Sequence, residues 1–117
     1  MTERTIISPD QLPATIRGYL AAHVAGDADT ALRAFAADAV VVDDGSTYRG
    51  NDEIRRFLAT AGSEFTYTET LAGAERTDDT HWVAVNHLEG DFPGGVADLR
   101  YRFAMDGDLV AELVIAP

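Results

Sequence analysis

The chain has 117 residues, with 20 acidic against 9 basic side chains, a net charge of −11, 3 histidines and no cysteine. That balance repels phosphate backbones and anionic lipid surfaces, so neither nucleic acid nor a membrane is an expected partner. Without thiols there is no disulfide framework, and the scattered histidines make no zinc signature, so no metal is expected.

A chain of this length reads as one domain over residues 1–117, able to bury roughly two-thirds of its unfolded surface. The opening MTERTIISPDQLP carries charges of both signs. It has no apolar run of signal-peptide length, and no stretch of the chain approaches the ~20 apolar residues of a membrane span. A cytoplasmic location is the default expectation.

In chain order, Ser8-Pro9-Asp10-Gln11 is a helix start of the capping-box type, with Pro9 at the first helical position and Gln11 reaching back to the cap amide. Leu12, Ile16, Tyr19, Leu20, His23 and Val24 then share one side at helical spacing. His23 is expected at the helix end, half exposed, where a histidine suits the dipole. Gly26 supplies a left-handed C-terminus and Asp27 an N-cap, so a second helix follows after a very short corner. Its apolar stripe is Ala28, Leu32, Phe35, Ala36 and Ala39. The β-branched run Val40-Val41-Val42 predicts a short strand that ends at the turn Asp43-Asp44-Gly45.

Gly45 to Gly50 is rich enough in turn formers to be a short hairpin or loop. Asn51 is then expected to cap a third helix, with Asp52 and Glu53 in its first turn, Ile54, Phe57, Leu58 and Ala61 facing inward, and Gly62 as its stop. From Glu64 the period changes to alternation: Phe65, Tyr67, Glu69 and Leu71 take one face of a strand, and Thr66, Thr68 and Thr70 the other. Glu75 to Thr80 reads as a turn. Strands follow from His81 to about Gly90, from Val96 to Met105 and from Leu109 onward, joined by Asp91-Phe92-Pro93-Gly94-Gly95 and by the tight turn Asp106-Gly107-Asp108. Three N-terminal helices packed in the concave face of a curved antiparallel sheet make an α+β fold.

Tyr19, the corner Ala25-Gly26-Asp27, the run Phe35-Ala36-x-Asp38-Ala39-x-Val41 and Asp43 together resemble the opening of the nuclear transport factor two-like superfamily, which includes ketosteroid isomerase and the SnoaL-like polyketide cyclases. The match to ketosteroid isomerase runs without a gap from Tyr19 to Asp43. The later stretch from Asp43 to Gly50 and the FPGG from Phe92 to Gly95 are similar to a bacterial branch of mostly unassigned function. The resemblance implies a cone-shaped cystatin-like fold enclosing a pocket, with Tyr19 donating to a developing oxyanion and Asp43 moving the proton. It departs from the isomerase at Leu99, which stands where that enzyme has a second, protonated aspartate. An oxyanion held by Tyr19 alone would lose on the order of 100-fold in rate.

The residues themselves leave alternatives. Tyr19 also reads as a core tyrosine, and Asp43 as a carboxylate capping the turn at Gly45. Alternation puts Leu99, Tyr101 and Phe103 on the inward face. If the hairpin reverses about Pro93, His87 opposes Leu99 and Val85 opposes Tyr101. His87 would then be a third catalytic candidate pointing into the cone, with Glu89 near the rim. A bulge in the FPGG turn would shift the register by one and turn His87 outward.

The candidate pocket comprises Phe35, Tyr48, Ile54, Phe57, Leu58, Tyr67, Val85, Glu89, Leu99, Tyr101, Phe103 and Leu113. Arg100, Arg102, Thr66, Thr68 and Trp82 are expected on the outer face of the sheet, a mixture suited to a homodimer interface. Three readings follow: cofactor-free proton transfer on a small apolar carbonyl compound, non-catalytic binding of an apolar ligand, or a dimerisation or partner-binding module.

Overall fold

The computed structural model describes residues 5–60 and 66–117. The helical part begins with a 3-10 turn at Pro9–Gln11, where the Ser8 amide donates to Gln11 Oε1 at 2.9 Å. Helix α1 (Ala14–Ala25) stops at Gly26, whose φ of 73° is the left-handed conformation that glycine adopts without strain. The Asp27 amide returns to the Ala22 carbonyl at 2.9 Å, closing the last turn. Asp27 caps the next helix: its carboxylate accepts from the Thr30 amide at 3.2 Å and from the Thr30 hydroxyl at 2.6 Å.

Helix α2 (Ala28–Leu32) lasts only five residues, which corrects the expected helix through Ala39. Phe35–Asp43 is strand β2 throughout. Alanine favours helix by only a few tenths of a kcal/mol per residue over most alternatives, a preference that tertiary pairing readily overrides. The pairing here is with β7 (Leu109–Ala116), and it is parallel: Phe35 lies beside Val110, and Val41 beside Leu113. A register shift between Phe35 and Val40 hides the strand's alternation from a reading of the sequence. Among the described residues the sheet is therefore antiparallel except at this one pair.

Asp44 and Gly45 have φ of 51° and 80°, so the D-G pair forms a two-residue hairpin turn from β2 into β3 (Ser46–Arg49). Helix α3 (Gly50–Thr60) starts before Asn51, and Glu53 accepts from the Arg49 amide at 2.9 Å in place of the expected Asn51 cap. Its inward residues Ile54 and Phe57 are buried against the sheet, each contributing about 1.5–3 kcal/mol. The expected stop at Ala61 and Gly62, and the expected strand start at Glu64 and Phe65, lie outside the described residues.

Strands β4 (Tyr67–Arg76), β5 (His81–Gly90) and β6 (Val96–Asp106) complete the sheet with a short β1 (Thr5–Ile7). Among the described residues the sheet has seven strands in the order β1-β4-β5-β6-β7-β2-β3. Strand β4 runs on through Glu75 to Arg76, into the start of the expected turn, because Arg76 pairs with Trp82 and its guanidinium lies 5.1 Å from the indole centre. The core fills the concave side between the helices and β2, β5, β6 and β7. Ile16, Tyr19, Val41, Ile54, Ala84, Phe103, Val110 and Leu113 are almost fully enclosed there.

The β5–β6 register corrects a second expectation. Gly94 and Gly95 both take positive φ, and the Gly90 amide bonds the Gly95 carbonyl at 3.0 Å. The reversal therefore falls between residues rather than on Pro93, and Asn86 opposes Leu99 while His87 opposes Asp98. His87, Val85 and Glu89 consequently stand on the outer face. Trp82 opposes Phe103 and belongs to the inner face, contrary to its expected place outside.

Candidate functional site

Helices and strands converge on a cavity of about 420 Å³ on the concave side. The C-terminal turn of α1 contributes His23, the end of β2 contributes Asp43 and Asp44, and α3 contributes Phe57. Strands β4, β5 and β6 with the turn between them supply Tyr67, Leu88, Phe92, Leu99 and Tyr101. Tyr67 reaches its place because Gly90 is opposite: a Cβ at Gly90 would overlap the Thr66 carbonyl and Tyr67 itself. The glycine thus lets the end of β4 close on β5.

Asp43 is inward for a local reason. It lies two residues beyond Val41, which is fully buried, and its strand neighbour on β7 is Ile115. No hydrogen-bond donor among the described residues reaches its carboxylate. Partial desolvation raises its pKa above the ordinary aspartate value, and the neighbouring charge of Asp44 adds to the rise, while His23 opposes it. A carboxylate in that state accepts a proton more readily than one in water.

Behind this cavity lies a buried polar cluster centred on Glu69, whose side chain is 4% exposed. Glu69 Oε1 accepts from Asn86 Nδ2 at 2.7 Å and from the Tyr101 hydroxyl at 3.2 Å, and Oε2 lies 3.5 Å from His23 Nε2. Burial, then the charge of Glu69, raises the Tyr101 pKa, so that hydroxyl stays protonated and committed to Glu69. Glu69 and Asn86 also line a second opening of about 530 Å³ between α1 and the sheet, with Arg17, Leu20 and Leu71.

Tyr19 is buried beneath these groups. Its ring stacks on His23 with centres 6.0 Å apart and meets Phe35 and Phe103 edge-on. Its hydroxyl is enclosed without a protein partner among the described residues, at a cost of about 1–3 kcal/mol if left unpaired. Burial raises its pKa, with the charges of Glu69 and Asp43 adding to the effect, so it is a protonated donor close to both carboxylates.

Of the residues singled out from the sequence, Asp43, Phe57, Tyr67, Leu99 and Tyr101 line the cavity of about 420 Å³. Phe35, Ile54, Phe103 and Leu113 are core side chains behind its wall. Tyr48 packs on Phe57 with ring centres 4.9 Å apart, and Leu58 borders a small crevice near Gly26. Val85, His87 and Glu89 are on the opposite face, which corrects the expectation that His87 points into the cone. His87 Nδ1 instead meets Asp98 at 2.6 Å and Nε2 meets Glu89 at 3.1 Å.

His23, Glu69 and Asn86 were not singled out as site residues. The signal for Glu69 was present: a carboxylate on the apolar face of a strand that alternates Tyr67, Glu69, Leu71. His23 had a weaker one, its place one turn after Tyr19 on the inward stripe. It is not half exposed as expected, because its side chain is 11% accessible. Among the described residues no group of three or more His, Asp or Glu side chains is placed to hold a metal ion, and no helix is long and apolar enough to cross a membrane.

A short helical layer in the hollow of a bent sheet, with an ionisable cavity between them, is the architecture of the nuclear transport factor two-like proteins. Within that class the chain belongs to the SnoaL-like domain family, whose model matches residues 16–112. No functionally curated protein matches it in sequence. Its fold is similar to that of a Sinorhizobium meliloti protein provisionally described as a polyketide cyclase, at 27% identity and a TM-score of 0.85, over 94% of this chain and 100% of the other. It is also similar in fold to a Δ5-3-ketosteroid isomerase from a Mycobacterium species, at 20% identity and a TM-score of 0.70, over 89% and 90% of the two chains. A third similar structure, with a ketosteroid isomerase-like fold, comes from Catenulispora acidiphila and holds trimethylamine; it is 18% identical, with a TM-score of 0.77, over 95% and 87%.

Proposed function

We propose that the cavity beside Asp43 holds a small, largely apolar carbonyl compound and that Asp43 moves a proton on it, without a cofactor. The observation that carries this reading is the state of Asp43: inward, partly desolvated, raised in pKa and without a donor, in a cavity otherwise walled mainly by apolar side chains. An enolisable C–H next to the carbonyl would lose its proton to Asp43. The oxygen would take up a hydrogen bond as charge develops on it.

The donor assignment differs from the one implied by resemblance. His87 is on the other face, and the Tyr101 hydroxyl is already given to Glu69. Tyr67 lines the cavity, and burial raises its pKa, with the charges of Glu69 and Asp43 adding, so it remains protonated. It is the donor best placed to meet an oxyanion, with Tyr19 behind it as a buried hydroxyl that a ligand or water entering the cavity floor would satisfy. Kinship with a family that contains cyclases and isomerases supports the reaction type but not the substrate.

The test is exchange of α-protons of small ketones in D₂O followed by NMR. Asp43→Asn should lower the protein-dependent rate by about 100-fold or more, and Tyr67→Phe should lower it less. Exchange that is absent with every ketone, or that is unchanged in Asp43→Asn, would leave ligand binding without reaction as the better account.

Homodimerisation through the outer sheet face is the proposed assembly. Its support is the mixed surface there, where Arg100 reaches Glu75 at 2.9 Å beside Val83 and Val85. Sedimentation of the wild type against Val85→Asp would decide it, since a dimer through this face should dissociate in the variant.

A further inference from the structure

The charges around the cavity disfavour the build-up of an enolate on a ligand that carries no positive charge of its own. Asp43 and Asp44 line it, Glu69 stands directly behind its His23 and Tyr101 walls, and neither lysine nor arginine is among the described lining residues. An enolate formed there would gain negative charge near the carboxylates of Asp44 and Glu69 while Asp43 holds the transferred proton, with hydroxyls and one imidazole to offset them. The same walls are aromatic: Phe57, Tyr67, Phe92 and Tyr101 line one space, and Tyr67 and Phe92 stand edge to face with centres 6.4 Å apart. Ring faces and carboxylates together form the surroundings that favour an organic cation, and they offer little to a neutral group of the same shape.

We infer that the cavity takes a ligand carrying an alkylammonium group, held by Asp43, Asp44 and the aromatic walls. Where proton transfer occurs, which rests on the reaction proposed above, the ammonium lies close to the carbonyl. The cation then does two things. It anchors the ligand electrostatically in a protein whose net charge of −11 draws cations toward it, and it supplies the positive charge that the chain itself does not place beside the developing enolate. In the proton-transfer step the α C–H bond breaks, its proton passes to Asp43, and the electron pair moves onto the carbonyl oxygen. Return of the proton restores the carboxylate, so no other reactant is consumed.

The probes are a matched pair: acetonyltrimethylammonium, which keeps its charge at every pH, and 4,4-dimethylpentan-2-one, in which carbon replaces the nitrogen. Binding is read by calorimetry or by NMR shifts of cavity residues, and α-proton exchange is read separately on the same samples. The cation should bind at least about 10-fold more tightly than its neutral isostere. That preference should shrink in Asp43→Asn and in Phe92→Leu, with circular dichroism showing that both variants are folded.

Equal or tighter binding of the neutral ketone, or a cation preference untouched by both variants, overturns the inference. Exchange of the neutral ketone without any cation preference would do so while leaving the proton-transfer reading standing. A cation preference without exchange supports the ligand class and removes the reaction.

Discussion

The two faces of the sheet carry nearly the same ionisable groups and put them to opposite uses. On the outer face a histidine, His87, sits between two carboxylates, Asp98 and Glu89, at 2.6 Å and 3.1 Å. On the inner face a histidine, His23, sits at 3.5 Å from Glu69 and shares its cavity with Asp43. Outside, side-chain exposure is 39% for His87 and 70% for Asp98, and water does most of the solvating. Inside, Glu69 is 4% exposed and depends on Asn86, Tyr101 and His23 for what water would otherwise provide. Short contacts between charged groups therefore say little about chemistry by themselves; desolvation decides which cluster can do any.

This contrast can be broken most forcefully at Glu69. Glu69→Ala should cost about 2–4 kcal/mol in denaturant unfolding, because it leaves Asn86 and Tyr101 without their acceptor in a buried site. Glu89→Ala on the other face should leave the unfolding midpoint nearly unchanged. Tyr101→Phe, which removes one hydrogen bond to Glu69 and keeps the ring, should cost about 1–2 kcal/mol.

Asp43→Asn should act in the other direction. The folded chain holds the Asp43 proton more tightly than the unfolded chain does. The wild type therefore binds more protons when folded than when unfolded, and its stability falls as pH rises from the unfolded value of about 3.9 through the higher folded one. Asparagine stays neutral throughout. The variant should be more stable than wild type at pH 7, and the difference should close toward pH 3.

The smallest effect is expected outside. Donation to the carboxylates of Asp98 and then Glu89 raises the His87 pKa, so proton NMR should find it titrating above the ordinary histidine value. Asp98→Asn should lower that midpoint with little change in unfolding.

Much of the fold was legible because its punctuation is local. Gly26 with Asp27, Asp44 with Gly45 and the alternation from Tyr67 to Leu71 each fix their geometry within a few residues. Phe35 to Ala39 was not legible as strand, since its partner is β7, some 75 residues away, and an alanine-rich segment gives no local sign of a parallel neighbour. The side-chain assignment of β5 depended on one residue of register at Phe92-Pro93-Gly94-Gly95. Both hairpin closures fit that sequence, and they send His87 to opposite faces. Asp43 could be placed because β2 ends at an unambiguous turn, whereas His23 and Glu69 become partners only when α1 lies across β4.

The most direct test of the account is a ¹³C NMR titration of the Asp43 carboxyl in the wild type and in Asp44→Asn. The midpoint should lie above the ordinary aspartate value of about 3.9, and should be lower in Asp44→Asn, where the neighbouring charge is gone, though still raised by desolvation. A midpoint at or below that ordinary value in the wild type would make Asp43 a solvated turn carboxylate and contradict its role as the base of this cavity.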